Sequence, residues 1–261
     1  MAGKRTQTKK RGGAKRKKKA RSLGSLWPKL LGAALIIGTL ALLGGYAYFS
    51  RGLPSVATLR DYRPPQTTRV YDRNRSVIGE IFTERRTVIP MSEVPRHVVL
   101  SVLAAEDADF YEHEGLDYRG ILRALGRDIL EGRAAQGGST ITQQVVKLML
   151  LTPERTISRK LRELILARRL ENELSKDEIL HLYLNSVNFG QGRYGIQEAA
   201  QYYFGKDAKE LSLAEASLLA GVPQAPARLS PRRHPEAAKR RQRFVLSQLE
   251  AKREIYWPDL S

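Results

Sequence analysis

Hydrophobic residues are distributed unevenly along the chain, and the longest apolar run covers residues 30–49 without a single charge. Twenty helical residues at about 1.5 Å each span about 30 Å, the hydrocarbon thickness of a bilayer. Trp27 precedes the run, and Tyr46 and Tyr48 lie at its end, where aromatic side chains suit the membrane interfaces. This pattern predicts one transmembrane helix over residues 30–50.

Two other interpretations of the apolar run stay open. A cleaved signal peptide has a shorter apolar region, about 7–15 residues, and an Ala-x-Ala-like site, whereas Ala47 is flanked by tyrosines. A buried core helix would also be apolar, although few core helices of this length lack all charge. The pattern favours an uncleaved membrane anchor.

Short β-type segments follow the apolar run, and helical periodicity follows them. Residues 51–67 contain three prolines and are typical of an extended connector. Residues 68–71 and 76–82 are rich in β-branched and aromatic residues and flank the turn-like stretch 72–75, which predicts a β-hairpin. From about Val94 onward the pattern is helical, so the region after the membrane segment is predicted to be mainly α.

Several predicted helices carry clear end signals. The sequences Ser175–Glu178 and Ser212–Glu215 each fit a capping box, and Gly221 followed by Pro223 predicts the end of the second helix. The segment 156–174 is predicted to be an amphipathic helix. Its apolar positions recur at three- and four-residue steps: Ile157, Leu161, Leu164 and Ile165.

Charge distinguishes the N-terminus from the rest of the chain. The 261 residues carry a formal charge of +18, and the 12 Lys and Arg residues within 1–29 leave only +6 for the remaining 232. Such a basic segment is expected to be disordered, and composition alone also allows a nucleic-acid arm. Cations before a membrane helix keep that end cytoplasmic, so we expect the region after Arg51 outside the cytoplasm. The absence of cysteine excludes disulfides, thiol nucleophiles and Cys-ligated zinc.

The first candidate site is an acidic cluster within residues 104–115, at the end of a predicted apolar helix. Burial of Glu106 after the apolar run would raise its pKa towards that of a useful general acid or base. Asp107 adds a second negative charge, which raises that pKa further or helps to hold a cation. The alternative is a solvated helix end in which His113 makes a structural hydrogen bond.

The second candidate site lies within residues 136–147. Gly137 and Gly138 free the backbone, Ser139 can cap a helix that starts behind it, and backbone N–H groups at such a start attract phosphates. Gln143, Gln144 and Lys147 add donors on the first turns. A plain helix cap is the alternative interpretation.

The third candidate site is a basic group on the following helix. Arg155, Arg159 and Glu163 are spaced at i, i+4 and i+8, and Lys160 can share their face. Arginine forks and a lysine point charge suit a di- or triphosphate, and a carboxylate among them could orient the cations or share a metal. Ordinary ion pairs on a helix surface are the alternative.

The fourth candidate site is a helix that runs into a glycine-rich loop over residues 176–195. Its amides, aromatic residues and three glycines suit a groove that contacts sugars, or equally a tightly packed helix exit.

Taken together, the blocks resemble the peptidoglycan glycosyltransferase family (family 51), the polymerase module of class A penicillin-binding proteins and of monofunctional glycosyltransferases. The chain departs from the family pattern at Leu148, where Asn or Asp is common, and at His181, where an acid is common. The matching motifs are Glu-Asp-x-x-Phe-x-x-His-x-Gly at 106–115, Gly-x-Ser-Thr-Ile-Thr-Gln-Gln-x-x-Lys at 137–147, Arg-Lys-x-x-Glu at 159–163, Tyr-Leu-Asn…Gly-x-Gly-x-Tyr-Gly at 183–195 and Leu-Ser-Leu-Ala-Glu-Ala-Ser-Leu-Leu-Ala-Gly-Val-Pro at 211–223.

The resemblance implies a mainly α fold with a lysozyme-like glycosyltransferase domain over residues 85–235 and a smaller membrane-proximal lobe. The connector and hairpin over 51–84 precede this domain, and a C-terminal helix and tail over 236–261 follow it. The chain contains neither Ser-x-x-Lys nor Lys-Thr-Gly, so we expect either a monofunctional enzyme or the N-terminal part of a bifunctional one.

The resemblance also implies an activity: polymerisation of lipid II into β-1,4-linked glycan with inversion and release of undecaprenyl pyrophosphate. Glu106 would be the general base, and Glu163 would position the cations or share a metal. The implied substrate- and pyrophosphate-binding residues are Asp107, Phe110, His113, Ser139, Thr140, Gln143, Gln144, Lys147, Arg155, Arg159, Lys160, Tyr183 and Asn185.

The expected surroundings follow from the same resemblance. The partners are lipid II, the growing glycan and membrane lipids, with other cell-wall synthesis proteins compatible and no nucleic acid. The location is the bacterial cytoplasmic membrane, and the metal requirement stays open between none and a divalent cation, Mg²⁺ or Mn²⁺. A muramidase or lytic transglycosylase, which also uses a buried glutamate, and a non-catalytic binding module are the alternatives.

Overall fold

The structure is a computed structural model that describes residues 27–60, 62, 64, 67–82, 84–118, 120, 138–154 and 156–256. The chain forms two compact units, one ending at Tyr48 and the other beginning at Phe49. Residues 1–26 of the predicted basic tail lie outside the described residues. Gly137 and Arg155, which belong to two of the predicted sites, also lie outside them.

The apolar run forms one long helix, α1 (Trp27–Ser50), of 24 residues. None of its side chains is buried, and the helix is long and apolar enough to cross a membrane. The Thr39 hydroxyl, a polar group within the run, donates to the carbonyl oxygen of Leu35 at 2.9 Å. This bond satisfies the hydroxyl within the helix itself.

The predicted hairpin is confirmed, with β1 (Thr68–Tyr71) antiparallel to β2 (Val77–Ile81). The Asp72 carboxylate closes the turn by accepting hydrogen bonds from the backbone N–H groups of Asn74 at 2.8 Å and Ser76 at 2.7 Å. Aspartate is favoured in turns because its short side chain bonds the backbone two residues on.

A second strand pair was not predicted. The two-residue strands β3 (Arg85–Arg86) and β4 (Arg193–Tyr194) pair in parallel. The Arg86 guanidinium lies 5.4 Å from the centre of the Tyr194 ring. Two residues are too few for a period-2 pattern, so the sequence gives no signal for this pair.

Helices are the predominant secondary structure among the described residues of the second unit, which confirms the mainly α fold class. Short 3₁₀ turns at Val56–Leu59, Met91–Glu93 and Ala208–Glu210 connect them. The helices are α2 (Arg96–Glu106), α3 (Ile141–Met149), α4 (Ile157–Glu173), α5 (Lys176–Ser186), α6 (Ile196–Phe204), α7 (Leu213–Ala220), α8 (Pro235–Ala251) and α9 (Arg253–Tyr256).

The helices pack in two groups around a common apolar core. Helix α3 packs against α4 and α5, while α2 packs against α7 and α8, which also contact each other. Helix α6 contacts both α5 and α7 and so links the two groups. Two of the sites predicted from the sequence lie at the last turn of α2 and at the first turns of α3.

Helix α4 is present as predicted, but its buried face differs from the predicted one. Ile157 is 82% exposed, and the other three predicted apolar positions are only half-buried. The buried residues are Glu163, Leu166, Ala167 and Leu170. The predicted positions therefore omit the buried face, on which a carboxylate stands among apolar side chains.

Both predicted capping boxes are present at Ser175 and Ser212. A third box begins α3, and the capping residue there is Thr140, so the prediction that Ser139 caps this helix is wrong. The Thr140 hydroxyl accepts from the backbone N–H of Gln143 at 3.2 Å, and the Gln143 side chain accepts from the Thr140 N–H at 3.2 Å. Threonine with glutamine three residues later is itself a capping-box pattern.

Candidate functional site

The carboxylate of Glu106 lies at the last residue of α2, where the apolar run ends. The helix stops because Asp107 leaves the helical region, with φ −162° and ψ 75°. Glu106 Oε2 accepts a hydrogen bond from Gln144 Nε2 of α3 at 2.8 Å. Glu106 Oε1 is shielded from solvent and has no hydrogen-bond donor among the described residues.

The surroundings of Glu106 raise the pKa of its carboxyl group, which suits a general base. Burial is the largest influence and raises the pKa of Glu106, as the sequence predicts. The hydrogen bond from Gln144 and the charges of Arg241 and Lys147 lower this pKa, while the negative charge of Asp107 raises it. A carboxylate with a raised pKa holds a proton more strongly, as a general base requires.

Asp107 connects the end of α2 to the start of α3. Its Oδ1 accepts from His113 Nε2 at 2.9 Å, and its Oδ2 accepts from the backbone N–H of Ile141 at 2.9 Å. Both Asp107 and His113 have buried side chains. A direct substrate contact by either residue stays a prediction, and the buried geometry favours a structural role.

The rest of the loop after α2 is also packed inside the protein. Phe110 is fully buried, with Lys176 Nζ 4.3 Å from the centre of its ring. Gly115 has φ +86°, and a Cβ there would lie 3.0 Å from the carbonyl oxygen of Ala167, so only glycine fits. The Gly115 carbonyl accepts a hydrogen bond from the Thr140 hydroxyl at 2.7 Å. A substrate contact by Phe110 or Thr140 stays a prediction.

A second charged cluster joins the start of α4 to the segment before α3. Glu163 is 2% exposed, and its two oxygens accept from Arg159 Nη1 at 2.8 Å and Lys160 Nζ at 2.5 Å. Lys160 Nζ also donates to Ser139 Oγ at 3.0 Å and Gln143 Oε1 at 3.4 Å. The structure thus brings five predicted site residues into one cluster. Arg155 lies outside the described residues, so its predicted role stays a prediction.

The cluster at Glu163 does not fit a metal ion in this arrangement. Each of its oxygens already accepts a hydrogen bond from a cation, which would repel a second cation. Over the described ranges, no group of three or more His, Asp or Glu side chains is arranged to hold a metal.

Helix α5 directs its two predicted residues to different neighbours. Tyr183 is fully buried, and its hydroxyl has no partner within the described part of the chain. Burial raises the pKa of Tyr183 most, and the negative charges of Glu106 and Asp107 raise it further. Asn185 bonds the backbone N–H and carbonyl of Ile89, both at 3.0 Å, and lines a cavity of about 380 Å³.

One cation near Glu106 was missed by the sequence analysis. Arg241 of α8 donates from Nη2 to the carbonyl oxygen of Ala105 at 2.8 Å. The sequence holds a partial signal, because an arginine interrupts the apolar face of an amphipathic helix, which indicates a partly buried cation but not its neighbour. The buried residues of that face are Ala238, Val245 and Leu249.

Comparison with known proteins identifies the relatives of the chain. A family model described as Transglycosylase matches residues 74–250. Penicillin-binding protein 1A of Aquifex aeolicus is 42% identical over 216 residues, which cover 83% of this chain and 29% of that protein. Penicillin-binding protein 1A of Escherichia coli is 40% identical over 82% of this chain and 25% of that protein. The chain thus spans less than a third of the length of these relatives.

Proposed function

The chain belongs to the transglycosylase family, and on that premise we propose that this peptidoglycan glycosyltransferase polymerises lipid II into β-1,4-linked glycan. The main support for this proposal is the environment of the Glu106 carboxylate. Its carboxylate is shielded, has a raised pKa and keeps one oxygen without a donor among the described residues. A base that removes a proton from a substrate hydroxyl needs these properties.

In the proposed reaction Glu106 accepts the proton of the acceptor sugar's 4-hydroxyl. That oxygen attacks the anomeric carbon of the donor sugar, and the bond from this carbon to the pyrophosphate oxygen breaks. Attack from the opposite face inverts the anomeric centre, so a β-1,4 bond forms and undecaprenyl pyrophosphate leaves. Gln144 would orient the carboxylate through its 2.8 Å hydrogen bond to Oε2.

The charged side chains nearby have a role in leaving-group departure. Negative charge accumulates on the departing pyrophosphate, and fixed cations stabilise it most where water is excluded. Lys147 is exposed on α3, and Lys160 is half exposed and held by Ser139 and Glu163. We assign these two lysines to the pyrophosphate, with Glu163 holding Lys160 and Arg159 in position. The implied contribution of Arg155 belongs to the same proposal.

The substrate and the anchor belong together in this proposal. Helix α1 has 24 residues, which span about 36 Å and are sufficient to cross a bilayer. The basic residues before it would keep the N-terminus cytoplasmic and the second unit outside, in the inner membrane of a bacterium. A substrate carried on a lipid would then reach the enzyme from the same membrane.

The test is polymerisation of fluorescent lipid II by the full chain in detergent micelles, followed by gel analysis of the glycan. We expect chains in the wild type and a loss of about 10²–10⁴-fold in rate for Glu106→Gln, as general-base catalysis contributes that much. Glu112→Gln is a matched control, because this exposed glutamate lies in the same loop. Its rate should equal that of the wild type.

A different product would overturn the proposal. A muramidase or lytic transglycosylase would release disaccharides from preformed glycan without consuming lipid II. A non-catalytic binding module would give identical results with Glu106→Gln and wild type. Circular dichroism of each variant separates loss of the base from loss of the fold.

A further inference from the structure

Helix α8 carries a cation to the end of α2. Arg241 is half-buried and donates from Nη2 to the carbonyl oxygen of Ala105, one residue before Glu106, at 2.8 Å. The last carbonyl groups of a helix have no partner inside it, and the negative end of the helix dipole lies there. An arginine at this position satisfies one carbonyl and is attracted by the dipole.

A glycine provides the space for this arginine. Gly221 follows α7 with φ −76°, a conformation open to every residue, so the backbone does not require glycine here. A Cβ at this position would lie 2.7 Å from Cγ of Arg241. The guanidinium carbon of Arg241 also lies 4.4 Å from the centre of the Phe244 ring. Contacts from α2, α7 and α8 together fix the course of the side chain.

Arg241 acts on Glu106 through its charge as well. It lowers the pKa of Glu106, against burial, and the Glu106 carboxylate in turn favours the charged form of Arg241, whose pKa burial lowers. The other groups that face Glu106 come from the loop after α2, from α3 and from α5. They are Asp107, Gln144, Lys147 and the buried phenol of Tyr183.

We propose that Arg241 is a positioning residue for Glu106, which holds the last turn of α2 from α8 and so presents the Glu106 carboxylate. The inference rests on the proposed role of Glu106 as the base. Arg241 bonds the backbone of Ala105 and takes no part in the transfer of the sugar. Its positive charge also lowers the pKa of Glu106, against the larger effect of burial, and so extends the active range of the enzyme towards lower pH.

The test is the pH profile of the polymerisation rate at saturating lipid II. A base must be ionised, so the rate falls on the acid side as Glu106 takes up its proton. In Arg241→Gln we expect this acid limb at higher pH by about 0.5–1 unit, because a nearby positive charge is lost. Arg241→Lys keeps the charge and should keep the limb near its wild-type position.

Arg240→Gln is the matched control, because this arginine is adjacent on α8 and exposed. Its acid limb should coincide with that of the wild type. If the limb of Arg241→Gln also coincides with it, the proposal is wrong. An equal loss of rate at every pH in Arg241→Gln would equally overturn it, since that is the result of a purely structural contact.

A direct titration separates this proposal from the proposed function. Carboxyl ¹³C chemical shifts of the full chain, labelled at glutamate, report the pKa of Glu106 without substrate, and the signal absent from Glu106→Gln assigns the residue. We expect a higher Glu106 pKa in Arg241→Gln than in Arg240→Gln, even if lipid II is not polymerised. Identical titration curves would refute the role of Arg241, whatever the activity of the enzyme.

Discussion

Glu106 and Glu163 are two carboxylates with entirely different partners. Glu163 is 2% exposed, and each oxygen accepts from a cation, Arg159 or Lys160. Glu106 has one neutral hydrogen bond, from Gln144, and an oxygen without a donor among the described residues. Both oxygens of Glu163 are occupied by cationic donors, whereas Glu106 keeps one oxygen that a substrate hydroxyl could reach as donor. The chemical role follows from the partners rather than from burial alone.

Removal of the charge at Glu163 should have the largest effect on stability. Glu163→Gln leaves Arg159 and Lys160 without their counter-charge, and we expect the free energy of unfolding to fall by about 2–3 kcal/mol. This value is below that of a fully buried pair because the Lys160 side chain is 42% exposed. Urea denaturation monitored by circular dichroism measures it.

A double variant sharpens this measurement. Arg159→Gln combined with Glu163→Gln removes the 2.8 Å pair as a whole, so its cost should be less than the sum of the two single costs. If the cost of the double variant equals the sum of the two single costs, the ion pair contributes nothing to stability. Glu163 would then resemble Glu106, which has no bonded cation.

The pH dependence of stability should differ in sign between Glu106 and an ordinary carboxylate. Because the folded protein raises the pKa of Glu106, the folded state retains a proton that the unfolded chain has already lost. Stability of the wild type relative to Glu106→Gln should therefore fall as pH rises from below the usual value of about 4.3 through the folded pKa. Urea midpoints of both proteins from pH 4 to 8 test this, and a constant difference would contradict it.

The smallest effect is expected at Tyr183, beside Glu106. Its buried hydroxyl has no partner within the described residues, so Tyr183→Phe should change the free energy of unfolding by less than about 1 kcal/mol, towards greater stability. Tyr203→Phe is the control, because that hydroxyl donates to the Phe189 carbonyl at 2.9 Å and its loss should destabilise. Equal destabilisation by both changes would show that the Tyr183 hydroxyl is satisfied.

Local signals in the sequence predicted the features that depend on neighbouring residues. The hairpin turn at Asp72, the capping boxes at Ser175 and Ser212 and the shielded glutamate after an apolar run all follow from short-range patterns. Helix length and hydropathy were likewise sufficient for α1.

Features that depend on distant residues were missed. The strands β3 and β4 pair across more than 100 residues, and neither has a pattern of its own. The inward position of Glu163 depends on its ion pairs with Lys160 and Arg159, and the buried face of α4 that it shares with Leu166, Ala167 and Leu170 was not the predicted one. Arg241 meets Glu106 only because α8 packs on α2, which no motif in either segment indicates.

Two hydrogen bonds between the segment after α2 and the start of α3 determine how Glu106 is held. Asp107 Oδ2 bonds the N–H of Ile141, and the Thr140 hydroxyl bonds the carbonyl of Gly115. Both bonds fix the start of α3 against the segment that follows α2, and Gln144 lies on the first turns of that helix. The hydrogen bond from Gln144 to Glu106 therefore depends on two contacts that neither residue makes itself. A substitution at Asp107 or Thr140 should disturb the carboxylate of Glu106 without touching it.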